Sequence, residues 1–271
     1  MEQHQRAGQV HKWLRVLDDR LMSLTILDPA VGSGAFLLGM LGEVMRLRTG
    51  AYEALHGQTV SDLLVHEWKL NAIERSLFGV DIEPTAVELC RLRLWLSLVV
   101  ELDASRPVPP LPNLEYRTVC ADSLVDFVEG IAIQDTRQST NQTVNYLGDL
   151  DVTEVTKLRE AYFGAADPHD KAVLRGRLLD AENALLDNWL GIARAELKKN
   201  AAAQRRLDRL KDQLRSPDRV YPVFMPGFSA PEVWQQGGWD IVIMNPPYVG
   251  RKEIPQRNPA SVDAITRHYG G

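Results

Sequence analysis

The residues best suited to chemistry are Asn245-Pro246-Pro247-Tyr248, at the end of the apolar run Trp239 to Met244. Two consecutive prolines remove two backbone donors and fix φ, so a strand must end there and the asparagine is held rigidly. The Asn245 side-chain oxygen and the Pro246 carbonyl are then acceptors that no local amide easily satisfies. Tyr248 adds a flat apolar face with a polar edge. Two aimed acceptors and a stacking ring make a receptor for a planar group carrying an NH₂. The competing reading is a proline-terminated strand with an incidental asparagine.

A second constellation lies near the start of the chain, at Asp28-Pro29-Ala30-Val31-Gly32-Ser33-Gly34, followed by Ala35-Phe36-Leu37-Leu38. Gly32 and Gly34 let the backbone approach a ligand closely, and a helix starting after them offers free amide donors. Such a turn suits a nucleotide or a carboxylate-bearing cofactor. It lacks the Lys-Ser/Thr ending of a P-loop and does not match G-x-G-x-x-G, which points away from phosphate. A tight strand-to-helix turn with no ligand is the alternative. Asp81 ends a second apolar run, Leu77 to Ile82, where an acid can accept from both ribose hydroxyls of a nucleoside. Asp122 follows a third run, Leu114 to Cys120, and could accept from an adenine amino group. Either acid could equally cap a helix or sit in a loop.

Three strands that each finish in an acid, joined by helical connections, form the doubly wound α/β pattern. Ligands there bind at the carboxyl ends of parallel strands. The spacing of Val10, Leu14, Leu17 and Leu21 predicts a helix over 7–22 with those side chains on one face. A helix follows the glycine turn to about Arg48. Another runs from Thr85 to about Leu102, apolar nearly all round and so expected to be buried. Residues 130–150 read as loop, 152–214 as two or more long helices inserted into the α/β domain, and 221–234 as an aromatic, proline-rich loop. Trp239 to Met244 is a fourth strand. This divides the chain into 1–150, 151–219 and 220–271.

Composition bounds the rest. The chain has 271 residues, 45% apolar and 25% charged, with a formal net charge of −5. That is an ordinary globular composition, not a disordered or fibrous one. Cys90 and Cys120 are too few for a disulfide scaffold, and no Cys/His cluster has zinc spacing, so no metal is expected. No signal peptide opens the chain and no apolar run reaches about 18 residues, so a cytoplasmic chain without a membrane span is expected. Residues 188–219 hold nine Lys/Arg against four Asp/Glu. This basic segment inside an acidic chain could engage phosphate locally or be a solvated helix face.

Asp-Pro-Ala-x-Gly-Ser-Gly-Ala-Phe followed by Asn-Pro-Pro-Tyr resembles the S-adenosylmethionine-dependent DNA adenine-N6 methyltransferases, with the motif order of their gamma class. Gly79-Val80-Asp81-Ile82-Glu83-Pro84 and the helical insert before Pro231-Glu232-Val233-Trp234 are similar to the type IIG restriction–modification branch and related phage-defence methylases. The resemblance covers residues from about 20 to 250. It implies a Rossmann-like methyltransferase sheet, S-adenosylmethionine as cofactor, double-stranded DNA as partner and a flipped adenine as target. By it, Asp28, Pro29, Ala30, Gly32, Ser33, Gly34 and Phe36 hold the methionine end of the cofactor. Asp81 binds the ribose hydroxyls, Ile82 packs on the adenine, and Asp122 accepts from the cofactor amino group beside Ser123 and Leu124. Asn245, Pro246, Pro247 and Tyr248 form the catalytic motif, in which the first two accept from the target amino group and Tyr248 stacks on the base.

The chain departs from that pattern in three ways. No cofactor motif with Thr or Tyr-Thr-Pro is found in residues 1–22. Only 23 residues follow Tyr248, whereas the family continues with further strands and a target-recognition domain. Four strands are read where the resemblance implies seven. No P-D…(D/E)-x-K nuclease pattern stands out. The chain is therefore read as a fragment of a longer protein, expected to bind cofactor weakly or not at all and not to methylate DNA unaided. Asn-Pro-Pro-Tyr also occurs in protein-glutamine and some RNA methyltransferases, so those substrates stay open. An inactive remnant that binds DNA or a partner also stays open.

Overall fold

The computed structural model describes residues 2–100, 114–124, 127–128, 131–132, 151–165, 167–196, 201–215 and 220–246. In chain order the elements are α1 (Glu2–Ser23), β1 (Ile26–Asp28), α2 (Ala35–His56), α3 (Asp62–Arg75), β2 (Leu77–Asp81) and α4 (Pro84–Val99). A 3₁₀ turn (Leu114–Tyr116) then leads to β3 (Thr118–Ala121), β4 (Phe127–Val128) and β5 (Ile131–Ala132). These are followed by α5 (Thr153–Gly164), α6 (Pro168–Glu196), α7 (Ala201–Leu214), β6 (Val220–Tyr221), α8 (Pro226–Ser229), α9 (Pro231–Gln235) and β7 (Ile241–Val242). The chain is α/β, with parallel strands joined through helices. Two compact units form, Met1–Thr118 with Trp239–Asn245, and Val119–Gly238 with the residues from Pro246 on.

In the first unit β1 is the central strand, parallel to β2 on one side and to β7 on the other. Ile26 is level with both Leu77 and Ile241. Parallel strands flanked by helices are buried on both faces, which is why their sequences read as unbroken apolar runs. Asp240 sets the register of β7. Its Oδ2 accepts from the Thr25 amide (2.8 Å) and the Thr25 hydroxyl (2.9 Å). The ladder continues past β7, with the Ile243 amide donating to Leu27 O at 2.9 Å. Ile26, Leu37, Ile73, Leu77, Leu94 and Leu98 form the centre of the core. Each such side chain contributes about 1.5–3 kcal/mol by leaving water.

Several elements differ from expectation. The run expected as a strand from Leu114 begins as a 3₁₀ turn, closed by the Arg117 amide on Leu114 O at 2.9 Å. The Arg117 side chain explains the turn. Its Nε donates to Glu74 O, and its guanidinium lies 4.6 Å from the Phe78 ring centre. Helix α1 buries only one flank. Leu14 and Leu21 are half-buried and Asp18 accepts from Arg48 Nε at 2.9 Å, while Val10 and Leu17 are exposed. Helix α4 is buried on one side through Val87, Cys90, Leu94 and Leu98, but Leu89, Leu92 and Leu96 are over 40% exposed. An all-round apolar composition therefore did not mean all-round burial. Helix α3, absent from the sequence reading, starts at Ser61, whose hydroxyl accepts from the Leu64 amide. Among the described residues no helix is long and apolar enough to cross a membrane.

In the second unit β3 pairs in parallel with β6, Cys120 level with Val220, and β4 with β5 forms an antiparallel pair. The expected long helices are α5, α6 and α7, and Leu178, Trp189, Leu207 and Leu210 are buried among them. The segment read as loop over 221–234 instead holds β6's end, α8 and α9. A buried cation organises this region. Arg159 donates through Nη1 to Ser229 O (2.6 Å) and through Nη2 to Phe228 O (3.1 Å) and Glu182 Oε1 (2.8 Å). Both Arg159 and Glu182 are buried, so removing one partner strands the other in a medium that poorly tolerates charge. Arg159→Ala is expected to cost about 3–5 kcal/mol. The paired replacement Arg159→Met with Glu182→Leu is expected to cost less. Urea unfolding of the three chains tests this, and an Arg159→Ala chain as stable as the parent would contradict it.

Candidate functional site

The three strand-end acids share one local geometry. Asp28 Oδ1 accepts from the Ala30 amide (3.0 Å), Asp81 Oδ1 from the Glu83 amide (2.9 Å) and Asp122 Oδ1 from the Leu124 amide (2.9 Å). Each is a side-chain bond to the amide two residues on, which bends the chain out of its strand. What each second oxygen does distinguishes Asp28 from Asp81.

Asp81 Oδ2 accepts from the Gly32 amide at 2.8 Å. One carboxylate thus ties the loop after β2 to the loop after β1. Asp28 is only 1% exposed, and its Oδ2 is buried without a hydrogen-bond partner. Burial raises its carboxyl pKa, against the Ala30 bond, which lowers it, and with a smaller push from the Asp81 charge. A buried acceptor left open costs about 1–3 kcal/mol, more for a charged group.

The glycine turn is built around these acids. The Val31 amide donates to Val80 O and the Gly34 amide to Val31 O, both at 2.8 Å. Gly32 and Gly34 have φ of +51° and +83°, a region closed to most side chains. A Cβ on Gly34 would also lie 2.6 Å from Cys90 Sγ. Gly34 precedes α2 as a cap with no side-chain hydrogen bond, and no acid lies in the first turn of α2. The amide end of that helix therefore lacks the usual internal compensation for its positive pole. Cys90 lies under the turn, and burial, then the Asp28 charge, pushes its thiol up to about 12. Phe36 and Ile82 are large apolar side chains left 41% and 59% exposed. Pro29, Ala30 and Ser33 are half-buried.

Asn245 leaves the strand direction just beyond β7, which lies beside β1, so in the first unit it emerges at the sheet edge where Asp28 ends its strand. Asn245 and Pro246 are both exposed. In the second unit Asp122 is buried, its carbonyl accepting from the Phe224 amide at 2.7 Å, while Ser123 is half-buried and Leu124 is exposed. Pro247 and Tyr248 lie outside the described residues. In the basic segment, Arg194 pairs with Asp208, while Lys211 (3.1 Å) and Arg215 (2.5 Å) pair with Asp187. Three of its nine cations are thus paired with acids of α6 and α7 in the same unit.

Sequence reasoning missed two contributors on α4, Cys90 and Arg93. Arg93 Nη1 donates to both the carbonyl and the hydroxyl of Ser33, each at 2.9 Å. The available signal was an arginine within the apolar run that ends α4, since such a charge needs a partner.

The bridging role of Asp81 has a direct consequence. In Asp81→Asn one side-chain oxygen becomes an NH₂ that faces a backbone N–H, so one bond is lost and two donors oppose each other. The expected cost is about 1–3 kcal/mol, read as a lower urea midpoint. An unchanged midpoint would mean that the two loops hold themselves without this carboxylate.

Comparison with known proteins gives the family of the chain. The family model described as the Eco57I restriction-modification methylase matches residues 75–270, and that of the MmeI DNA-methyltransferase domain matches residues 3–115. A Methanocaldococcus jannaschii protein that goes by the name of a type II restriction enzyme and methyltransferase is 31% identical over 234 residues, or 83% of this chain. The chain spans 18% of that relative's length. No solved structure matches. The chain belongs to the Eco57I restriction-modification methylase family.

Proposed function

We propose that this chain forms the cofactor-binding and catalytic part of a site-specific DNA adenine-N6 methyltransferase that uses S-adenosylmethionine. The observation that carries the reading is the pairing of opposite needs at the β1–α2 turn. Asp28 Oδ2 is a buried acceptor with no partner, and beside it α2 begins with no side-chain cap and no acid. An α-amino acid group meets both, its ammonium on the carboxylate and its carboxylate on helix amides. The exposed Phe36 and Ile82 suit packing on a ligand, and Asp81 keeps lone pairs for ribose hydroxyls besides its two backbone bonds. Asp122, Ser123 and Leu124 are assigned to the cofactor adenine through the family resemblance.

When bound, S-adenosylmethionine supplies an electrophilic methyl group on a sulfonium. The protein's own task is to make an aromatic amine nucleophilic. The adenine N6 lone pair is delocalised into the ring. Acceptance of its two N–H groups by the Asn245 side-chain oxygen and the Pro246 carbonyl favours a pyramidal nitrogen and stabilises the positive charge that develops on it. Asn245 is well sited for this, because the proline after it fixes the backbone and removes a competing donor. Tyr248 stacks on the base and offsets part of the cost of taking it out of the duplex. Residues 1–150 then serve the cofactor, 151–219 are a helical insertion, and 220–271 carry the catalytic loop.

Three measurements test the reading. Calorimetric titration with S-adenosylmethionine is expected to show saturable binding that Asp28→Asn weakens by about tenfold or more. Asp28→Asn is also expected to raise the thermal midpoint of the free chain at pH 7. The sign follows from linkage. A carboxyl whose folded pKa is raised costs stability once pH exceeds its unfolded value, so the gain should vanish as pH falls to about 4. Labelled-methyl transfer is run with the chain in excess over unmethylated DNA so that even trace single-turnover product registers, and the product expected is N6-methyladenine. Asn245→Ala should reduce it by about 10²–10³. Label on protein glutamine or on RNA instead would overturn the substrate assignment.

A further inference from the structure

We infer that Arg93 is a positioning residue of the cofactor site, setting the Ser33 hydroxyl as a hydrogen-bond donor toward the carboxylate of the bound amino-acid moiety. The inference rests on the reading of the β1–α2 turn as the methionine subsite. Arg93 Nη1 reaches two acceptors of one residue, Ser33 O and Ser33 Oγ, each at 2.9 Å. A guanidinium has donors only, and a hydroxyl has one proton and two lone pairs. Because Oγ accepts from Arg93, its own proton is turned away from the guanidinium and remains to be donated. Because the carbonyl also accepts, the Ser33 peptide cannot rotate without losing a charge-assisted bond.

The same helix holds the turn at a second point. Cys90 lies one turn before Arg93 on α4, with Sγ 2.6 Å from where a Gly34 Cβ would be. α4 thus supports the turn from below at Cys90 and grips it from the side at Arg93, placing Ser33 between two glycines whose φ values are positive. Glycines contribute freedom, and a binding turn needs that freedom removed. Arg91, two residues earlier, works elsewhere. Its Nε donates to Thr118 Oγ1 (2.8 Å) and its Nη2 to Thr118 O (2.6 Å). The two arginines therefore separate a turn-directed role from a strand-directed one on a single helix.

The test compares S-adenosylmethionine with 5′-methylthioadenosine, which keeps the nucleoside and lacks the amino-acid group. Calorimetry is done on the wild type, Arg93→Ala, Arg93→Lys, Ser33→Ala and the double variant Arg93→Ala with Ser33→Ala, each checked for folding by thermal midpoint. Arg93→Ala is expected to weaken S-adenosylmethionine about tenfold and to leave methylthioadenosine unchanged. Arg93→Lys should recover part of that loss. The double variant should be weaker than either single by much less than the product of the two effects. Equal weakening of both ligands by Arg93→Ala would make Arg93 a general structural residue and overturn the inference. So would unchanged binding of S-adenosylmethionine. A wild-type chain that binds neither ligand would instead overturn the cofactor reading itself, and the inference with it.

Discussion

A parallel sheet delivers its strands to one edge with their last amides unpaired, and the chain must turn there at once. In this protein an aspartate performs that turn after β1, β2 and β3 by accepting from the amide two residues on. Everything at the candidate site follows from how the second oxygen of each acid is used. Asp81 spends it on Gly32, so this carboxylate, beside the Val31 amide on Val80 O, ties the loop after β2 to the loop after β1. That bond requires the Gly32 amide to point outward from its loop, which the positive φ of Gly32 provides. The glycines and the acid are therefore a matched set, and neither would shape the turn alone.

This explains what the sequence made legible. Strand-end acids and glycines are local signals, because they answer a local need for a partner or a conformation. The α/β class, the positions of β1 and β2, the tight glycine turn after Asp28 and the end of a strand before Asn245 could be read for that reason. The features that could not be read depend on packing. Leu114 to Tyr116 has strand composition, yet a cation seated on Phe78 and Glu74 O winds it into a turn. Leu89, Leu92 and Leu96 are apolar but lie on the far side of α4 from the core. Periodicity over 7–22 found the helix and misjudged its face, because the Asp18–Arg48 pair fixes the rotation of α1 about its axis.

Arginine is the common fastener of the first unit, and its planar fork suits the task. Arg48 ties α2 to α1 and also lies 4.1 Å from the Trp68 ring centre. Arg91 ties α4 to the start of β3, Arg93 ties α4 to the glycine turn, and Arg117 ties the approach to β3 to the end of α3. Each contact runs from a helix or turn to backbone or side chain of another element. Such links are invisible to hydrophobic patterning, which sees these residues only as interruptions. The basic segment over α6 and α7 shows the converse. Its charge excess left open a phosphate-binding segment or a solvated face, and among its described residues Arg194, Lys211 and Arg215 pair with Asp208 and Asp187 of the same unit.

Asp28 stands apart from this economy. Asp18, Asp81, Arg48, Arg91, Arg93 and Arg117 hold the fold of the first unit, while Asp28 keeps one oxygen buried and unpartnered and has its pKa raised by that burial. A fold selected only for stability would replace it by asparagine, which keeps the Ala30 bond and removes the charge. Its neighbour Asp81 makes the cost worse by adding a like charge. A cation arriving at Oδ2 would relieve both the burial and the repulsion, and on the proposed reading the uncapped start of α2 takes the opposite charge of the same ligand. On that reading the open acceptor is binding energy held in advance, which the ammonium and carboxylate of one small molecule would release by settling between the acid and the helix.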